Sequence, residues 1–143
     1  RKLKKIDLLN YNMTSIVSAF NKHFMELVDD ICDVFPDDVD IQSAKNSFIL
    51  IKKANPKLLI RSWDMFVVQK YHQEIIDGKI EYFLEKDYRE DLELGGNNTK
   101  QIVDAIDRLR APIRSMNESE QEKILKYLQN LCKLTLVFKQ QEK

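Results

Sequence analysis

Only three glycines (Gly78, Gly95, Gly96) and three prolines (Pro36, Pro56, Pro112) are available in 143 residues to interrupt a helix. Gly78, Gly95, Gly96, Pro36 and Pro56 all fall where a three-and-four apolar spacing stops or restarts, so they punctuate the chain into helices. No segment shows the sustained alternation and hairpin signals of strands. The pattern predicts an all-α fold. We expect one compact multi-helix bundle of about five to six helices over residues 14–143, led by a basic N-terminal arm over residues 1–13.

The individual stripes carry that expectation. Ile16, Phe20, Phe24, Leu27, Ile31 and either Val34 or Phe35 mark a first helix that ends before Pro36. Ile41, Ala44, Phe48 and Ile51 mark a second, with Lys52 and Lys53 at its negative dipole end. Asn55-Pro56 reads as a stop and restart, Asn55 being the N-cap. Leu59, Trp63, Phe66, Val67 and Ile75 follow, with the Lys70 stem a further candidate, up to a capping Gly78. Ile80, Phe83, Leu84, Tyr88 and Leu92 form a short amphipathic piece, and "LGGNNT" is the clearest loop. Ile102, Val103, Ile106, Leu109 and Ile113 mark a helix that Pro112 bends or terminates. The last helix is expected to start at a capping box of Ser119 and Glu122 and to bury Ile124, Tyr127 or Leu128, Leu131, Thr135 and Phe138.

A chain of this length can bury roughly 68–70% of its unfolded surface. No apolar run approaches the roughly 18 residues of a membrane span, and no charged-then-apolar leader suggests secretion. A start at Arg1 in place of Met is compatible with a processed or truncated product. Cys32 and Cys132 lie a hundred residues apart and read as small buried hydrophobes, since neither belongs to a CxxC pair. The charge is zero overall but blocky: residues 26–40 hold seven acidic and no basic side chains, and residues 41–70 hold six basic and one acidic. Such blocks make local electrostatic faces, whereas a bulk nucleic-acid binder is usually more basic.

The acidic block centres on "LVDDICDVFPDDVDIQ". An EF-hand loop starting at Asp38 would need a central glycine and a closing glutamate, and "DVDIQSAKNSFI" has neither. Asp37, Asp38 and Asp40 suit the opening turn of a helix instead. Asp29, Asp30 and Asp33 sit near the end of the preceding helix, where negative charge is unfavourable unless a basic partner or a lysine-bearing neighbour offsets it. His23 shares a face with Glu26 and Asp30 but lacks an HExxH arrangement, and reads as a surface histidine. No nucleophile elbow and no phosphate-binding glycine loop are present, so no catalytic residue, metal or cofactor is expected. Lys45, Lys52, Lys53, Lys57 and Arg61 flank Asn55-Pro56, and Arg108, Arg110 and Arg114 flank Pro112. If the two basic groups met in the fold they could engage phosphates or an acidic surface. Trp63, spaced with Leu59 and Phe66, reads as core.

The segments "AFNKHFMELVDDICDVFPDDVDIQSAKNSF", "IKKANPKLLIRSW", "GKIEYFLEKDYREDL", "IDRLRAPI" and "KYLQNLCKL", in this order, resemble an uncharacterised family of short helical proteins of nucleocytoplasmic large DNA viruses, such as algal and giant viruses. The resemblance spans about residues 18–138 and contains no catalytic signature. It implies a viral product made in host cytoplasm, and a place in the virion as a minor capsid or other structural component. The expected role is then a non-enzymatic interaction protein whose partners are other viral capsid or core proteins. Its acidic face would be Asp29, Asp30, Asp33, Asp37, Asp38 and Asp40, and its basic face the eight cationic residues around the two prolines. The alternative is a nucleic-acid-associated accessory factor working through the basic helix ends. A metal-dependent enzyme using His23, Glu26 and nearby aspartates is the weakest expectation.

Overall fold

The computed structural model describes residues 13–86 and 99–142, and within them the chain is all helix, a compact bundle of six helices with no strand. Residues 1–12 of the expected arm, the loop up to Asn98, Tyr88 and Leu92 lie outside the described residues. Helix α1 (Met13–Val34) buries the expected Ile16, Phe20, Phe24, Leu27 and Ile31, and Val17 and Val28 widen the stripe. At its end Phe35 packs against the core while Val34 faces solvent. The Phe35 N–H still donates to the Ile31 carbonyl at 3.1 Å, and Pro36 ends the helix there.

Helix α2 (Val39–Ala54) begins at Asp38, whose Oδ1 accepts the N–H groups of Asp40 (2.9 Å) and Ile41 (3.1 Å). These are donors that the first helical turn leaves unsatisfied. Its buried residues are the expected four, Ile41, Ala44, Phe48 and Ile51. Asn55 is the C-cap of α2, and the N-cap of the next helix is Lys57, which corrects the expected Asn55. The Asn55 N–H donates to the Ile51 carbonyl at 2.9 Å, and its Oδ1 accepts the Lys57 N–H at 3.2 Å.

Helix α3 (58–76) consists of an α-helical part, Leu58–Trp63, a π-helical turn, Asp64–Val68, and a second α-helical part, Gln69–Ile76. In the π turn the Gln69 N–H reaches back five residues to the Asp64 carbonyl. The wider turn lets Phe66, Val67 and Val68 all enter the core, which a narrow α-helical stripe would not allow. Lys70, a candidate core stem in the sequence, is exposed. Gly78 ends α3 with φ +93°. Its N–H donates to Ile75 and that of Lys79 to Glu74, the paired bonds of a Schellman cap, which needs a left-handed residue at that position.

After the short α4 (Glu81–Leu84), α5 (Thr99–Arg114) buries all five expected residues. Pro112 lies inside α5, where it supplies no N–H to the Arg108 carbonyl, and the helix continues two residues beyond it before ending at Arg114. Helix α6 (Glu118–Glu142) corrects the expected cap. The box is formed by Asn117 and Glu120, two residues before the Ser119–Glu122 pair: Asn117 Oδ1 accepts the Glu120 N–H (2.8 Å) and Glu120 Oε1 accepts the Asn117 N–H (3.1 Å). Asn is as good an N-cap as Ser, so the earlier site wins once the chain leaves α5 at Ser115. Leu128 is the fully buried choice over Tyr127.

The packing follows from these stripes. Helix α1 lies mainly on α6, α2 mainly on α5, and α3 touches α1, α2, α5 and α6. The elements are joined by rings: Phe24 meets Phe48 edge-on at 4.7 Å, and Trp63 lies 6.5 Å from Phe20 and 5.7 Å from Phe83. Trp63 is thus a core residue, and ring pairs of this kind contribute about 0.5–1.5 kcal/mol each beyond their buried area.

Candidate functional site

The fold draws the six aspartates to different partners. Asp29 reaches across to α2, where Lys45 Nζ lies 2.8 Å from its Oδ1. Asp30 turns toward α6, accepting the Tyr127 hydroxyl at 2.6 Å with Lys123 Nζ at 3.3 Å. Two of the three carboxylates that sit against the dipole of α1, Asp29 and Asp30, are therefore offset by lysines of this same chain. Asp38 caps α2, and Asp40 holds Arg108 of α5 at 3.1 Å. Asp33 and Asp37 are exposed and have no ion-pair partner among the described residues.

The basic residues divide in the same way. Lys45 is held by Asp29, and Arg61 is 3.1 Å from Glu142 at the end of α6. Arg108 is held by Asp40. Arg110 is turned inward, its side chain only 7% exposed, with its guanidinium 2.9 Å from Asp107 and lying over the Phe83 ring. Arg114 donates to the Leu84 carbonyl. The α5 arginines thus fasten α5 to α2 and α4. They do not join the lysines around Asn55-Pro56 in one surface: Arg108 borders the α2–α5 grooves, whereas Lys52 and Lys57 border a different one.

His23 is half-buried. Its ring lies 4.8 Å from that of Tyr127, and its Nδ1 is 3.6 Å from Glu26 Oε1. Asp30 is engaged with Tyr127 and Lys123, so the three side chains suggested as ligands do not converge. Among the described residues no three His, Cys, Asp or Glu side chains are grouped as a metal ion requires. Burial pushes the Cys132 thiol up to about 11 and also raises that of Cys32, so neither is an activated thiolate.

The concavity that stands out is an open groove of about 770 Å³ between α1 and the corner where α2 passes into α3. One wall is a face of α1 running Thr14, Val17, Ser18, Asn21, Met25, Asp29, and the other is Lys52 and Asn55 to Lys57. Asn21, 6% exposed, fixes the two walls together by donating Nδ2 to the Pro56 carbonyl at 2.9 Å. Val17, Met25 and Pro56 give it an apolar lining. Lys22, Lys52 and Lys57 border it without a carboxylate partner among the described residues. Of the two acidic residues lining it, Asp29 is engaged by Lys45, and Glu26 is half-exposed with its Oε1 3.6 Å from His23 Nδ1.

Of the residues bordering this groove, the sequence singled out Lys52, Lys57 and Asp29 as docking residues, Glu26 as a weak ligand candidate and Asn55-Pro56 as a helix stop, and it passed over Lys22 and the rest of the α1 wall. The α1 wall has helical spacing of its own, at three and four residues from Thr14 to Asp29, but it runs beside the stronger core stripe. Only the position of the α2–α3 corner distinguishes it from an ordinary solvated face. Among the described residues no helix is long and apolar enough to cross a membrane. No protein-family model matches the chain, and no curated protein or solved structure matches it.

Proposed function

We propose that the chain is a non-enzymatic interaction protein, a minor capsid or other structural component of a large DNA virus particle that binds neighbouring virion proteins. The observation that carries the docking part of this reading is the open, apolar-lined groove with three unengaged lysines on its border. Concave apolar patches with a charged rim are where protein partners gain both burial and orientation. The viral part rests on the segment resemblance alone. In this reading the aspartate and arginine clusters hold the helices to one another, and the Lys52–Lys57 corner faces outward to a partner.

The test is quantitative mass spectrometry of purified virions from infected cells, together with identification of what co-purifies with the tagged chain. The expected result is a fixed stoichiometry to the major capsid or core proteins and recovery of at least one of them with the chain. A protein present in infected cytoplasm but missing from virions would reject the structural role.

A further inference from the structure

The groove has dimensions and chemistry that select among occupants. Its α1 wall runs from Thr14 to Asp29, four helical turns and about 22 Å at 1.5 Å per residue. The Asn21–Pro56 bond and the Asp29–Lys45 pair show that α2 runs antiparallel to α1, which sets Lys52 between those two ties and Lys57 beside the first. The bordering cations therefore gather around the middle of the groove, with Lys22 and Lys57 near Asn21 and Lys52 toward the Asp29 end.

The α1 wall is helix, whose backbone groups are bonded internally, and the other wall is Lys52 with the three-residue turn 55–57, so no strand edge is offered along the groove to pair with an extended peptide. A bound segment must then satisfy its own backbone, which a helix does. The groove is also open along one side. An acyl chain laid in it would keep much of its surface in water, whereas an amphipathic helix needs to bury only one stripe. The chain's own residues 1–12 carry four basic side chains and one acidic, the same sign as the border, and are a poor electrostatic match.

We infer that the α1/α2–α3 groove receives a helix of about four turns from a partner protein, its apolar stripe resting on Val17, Met25 and Pro56 and its flanking Asp or Glu side chains meeting Lys22, Lys52 and Lys57. This rests on the reading that the chain works by docking, and it names the kind of segment docked. Carboxylates on the partner supply register and encounter rate, and the apolar stripe supplies the burial.

The experiment is selection from a library of 16-residue peptides against the full chain and against a K52E/K57E variant. It is followed by titration of the selected peptides into protein carrying labelled methionine methyl groups. Both lysines are on the surface, and an unchanged circular dichroism melt would show that the variant folds. The expected peptides place apolar residues at i, i+3 or i+4 and i+7 with acidic residues beside them. They shift the Met25 methyl signal and leave that of buried Met116 in place, and they bind K52E/K57E at least tenfold more weakly. Peptides without acidic enrichment, equal binding to the variant, an unmoved Met25 signal or no selection above background would each overturn the inference. Displacement of the peptides by dodecanoate, or a concentration-dependent dimer lost in K52E/K57E, would assign the groove to an anionic amphiphile or a second copy instead. The two readings fail separately: K52E/K57E protein that still enters virions would sink the groove assignment and leave the structural role standing. Specific acidic peptides bound by a chain missing from virions would do the reverse.

Discussion

Cys132 shows how a single side chain sets a condition on the whole fold. It is fully buried on α6, where desolvation penalises the thiolate and lifts the thiol from 9.0 to about 11. Tyr127, four residues after Lys123 on the same helix, is lifted from 10.0 to about 12, first by burial and then by donating to Asp30. In both cases the folded state holds its proton to higher pH than the unfolded state. Stability is then complete below the unfolded value and is lost as pH climbs through the folded one. Urea unfolding followed from pH 7 to pH 11 should show the midpoint falling above about pH 9, Cys132 alone accounting for about 2–3 kcal/mol. Cys132→Ala should be less stable at pH 7 yet flatter between pH 9 and pH 11, and Tyr127→Phe should flatten the fall above pH 10. An equal slope in all three proteins would mean that the exposed lysines, not these buried groups, govern alkaline unfolding.

The elements divide into what the sequence states locally and what it leaves to the fold. Asn117 and Ser119 make the division measurable, since both are residues that can cap α6 and only Asn117 does so. Asn117→Ala should lower stability by about 1 kcal/mol, while Ser119→Ala should stay within about 0.5 kcal/mol of the parent, read as shifts in the chemical denaturation midpoint. The reverse order would place the box where the sequence pattern first suggests it. Stripes were legible because they depend on the nearest turn: Ile41, Ala44, Phe48 and Ile51 are buried as their spacing requires, as are the five of α5. The π turn was not legible. Nothing in "DMFVV" reports an extra residue per turn, and three adjacent apolar side chains gain their burial only from helices contributed elsewhere in the chain. The same applies to Arg110, whose position next to Asp107 is local but whose inward turn depends on Phe83 of α4.

At the scale of the molecule, the charge blocks resolve into ties between different helices, most of them far apart in sequence. Asp29 holds Lys45, Asp30 holds Lys123, Asp40 holds Arg108, Asp64 holds Lys139 and Glu142 holds Arg61. Composition gives the blocks but not the partners, because each partner is set by which helices pack. Exposed pairs of this kind are worth roughly 0–1 kcal/mol each, so they orient the helices more than they stabilise them. They also limit how the chain can bind nucleic acid. With Arg108, Arg110 and Arg114 engaged by Asp40, Asp107 and the Leu84 carbonyl, the cations near the two prolines that remain for phosphates are Lys52, Lys53 and Lys57, joined by Lys22 across the groove. Four such contacts would give a slope of log K against log salt of about −3.6 on duplex DNA. A fluorescence titration between about 50 and 200 mM salt should therefore find either no binding or a slope no steeper than about −4. A steeper slope would require cations beyond these four, either the four basic residues of 1–12 or α5 arginines that leave their carboxylate and carbonyl partners. It would then favour the nucleic-acid reading over protein docking, and loosening of α5 from α2 and α4 would identify the arginines as its source.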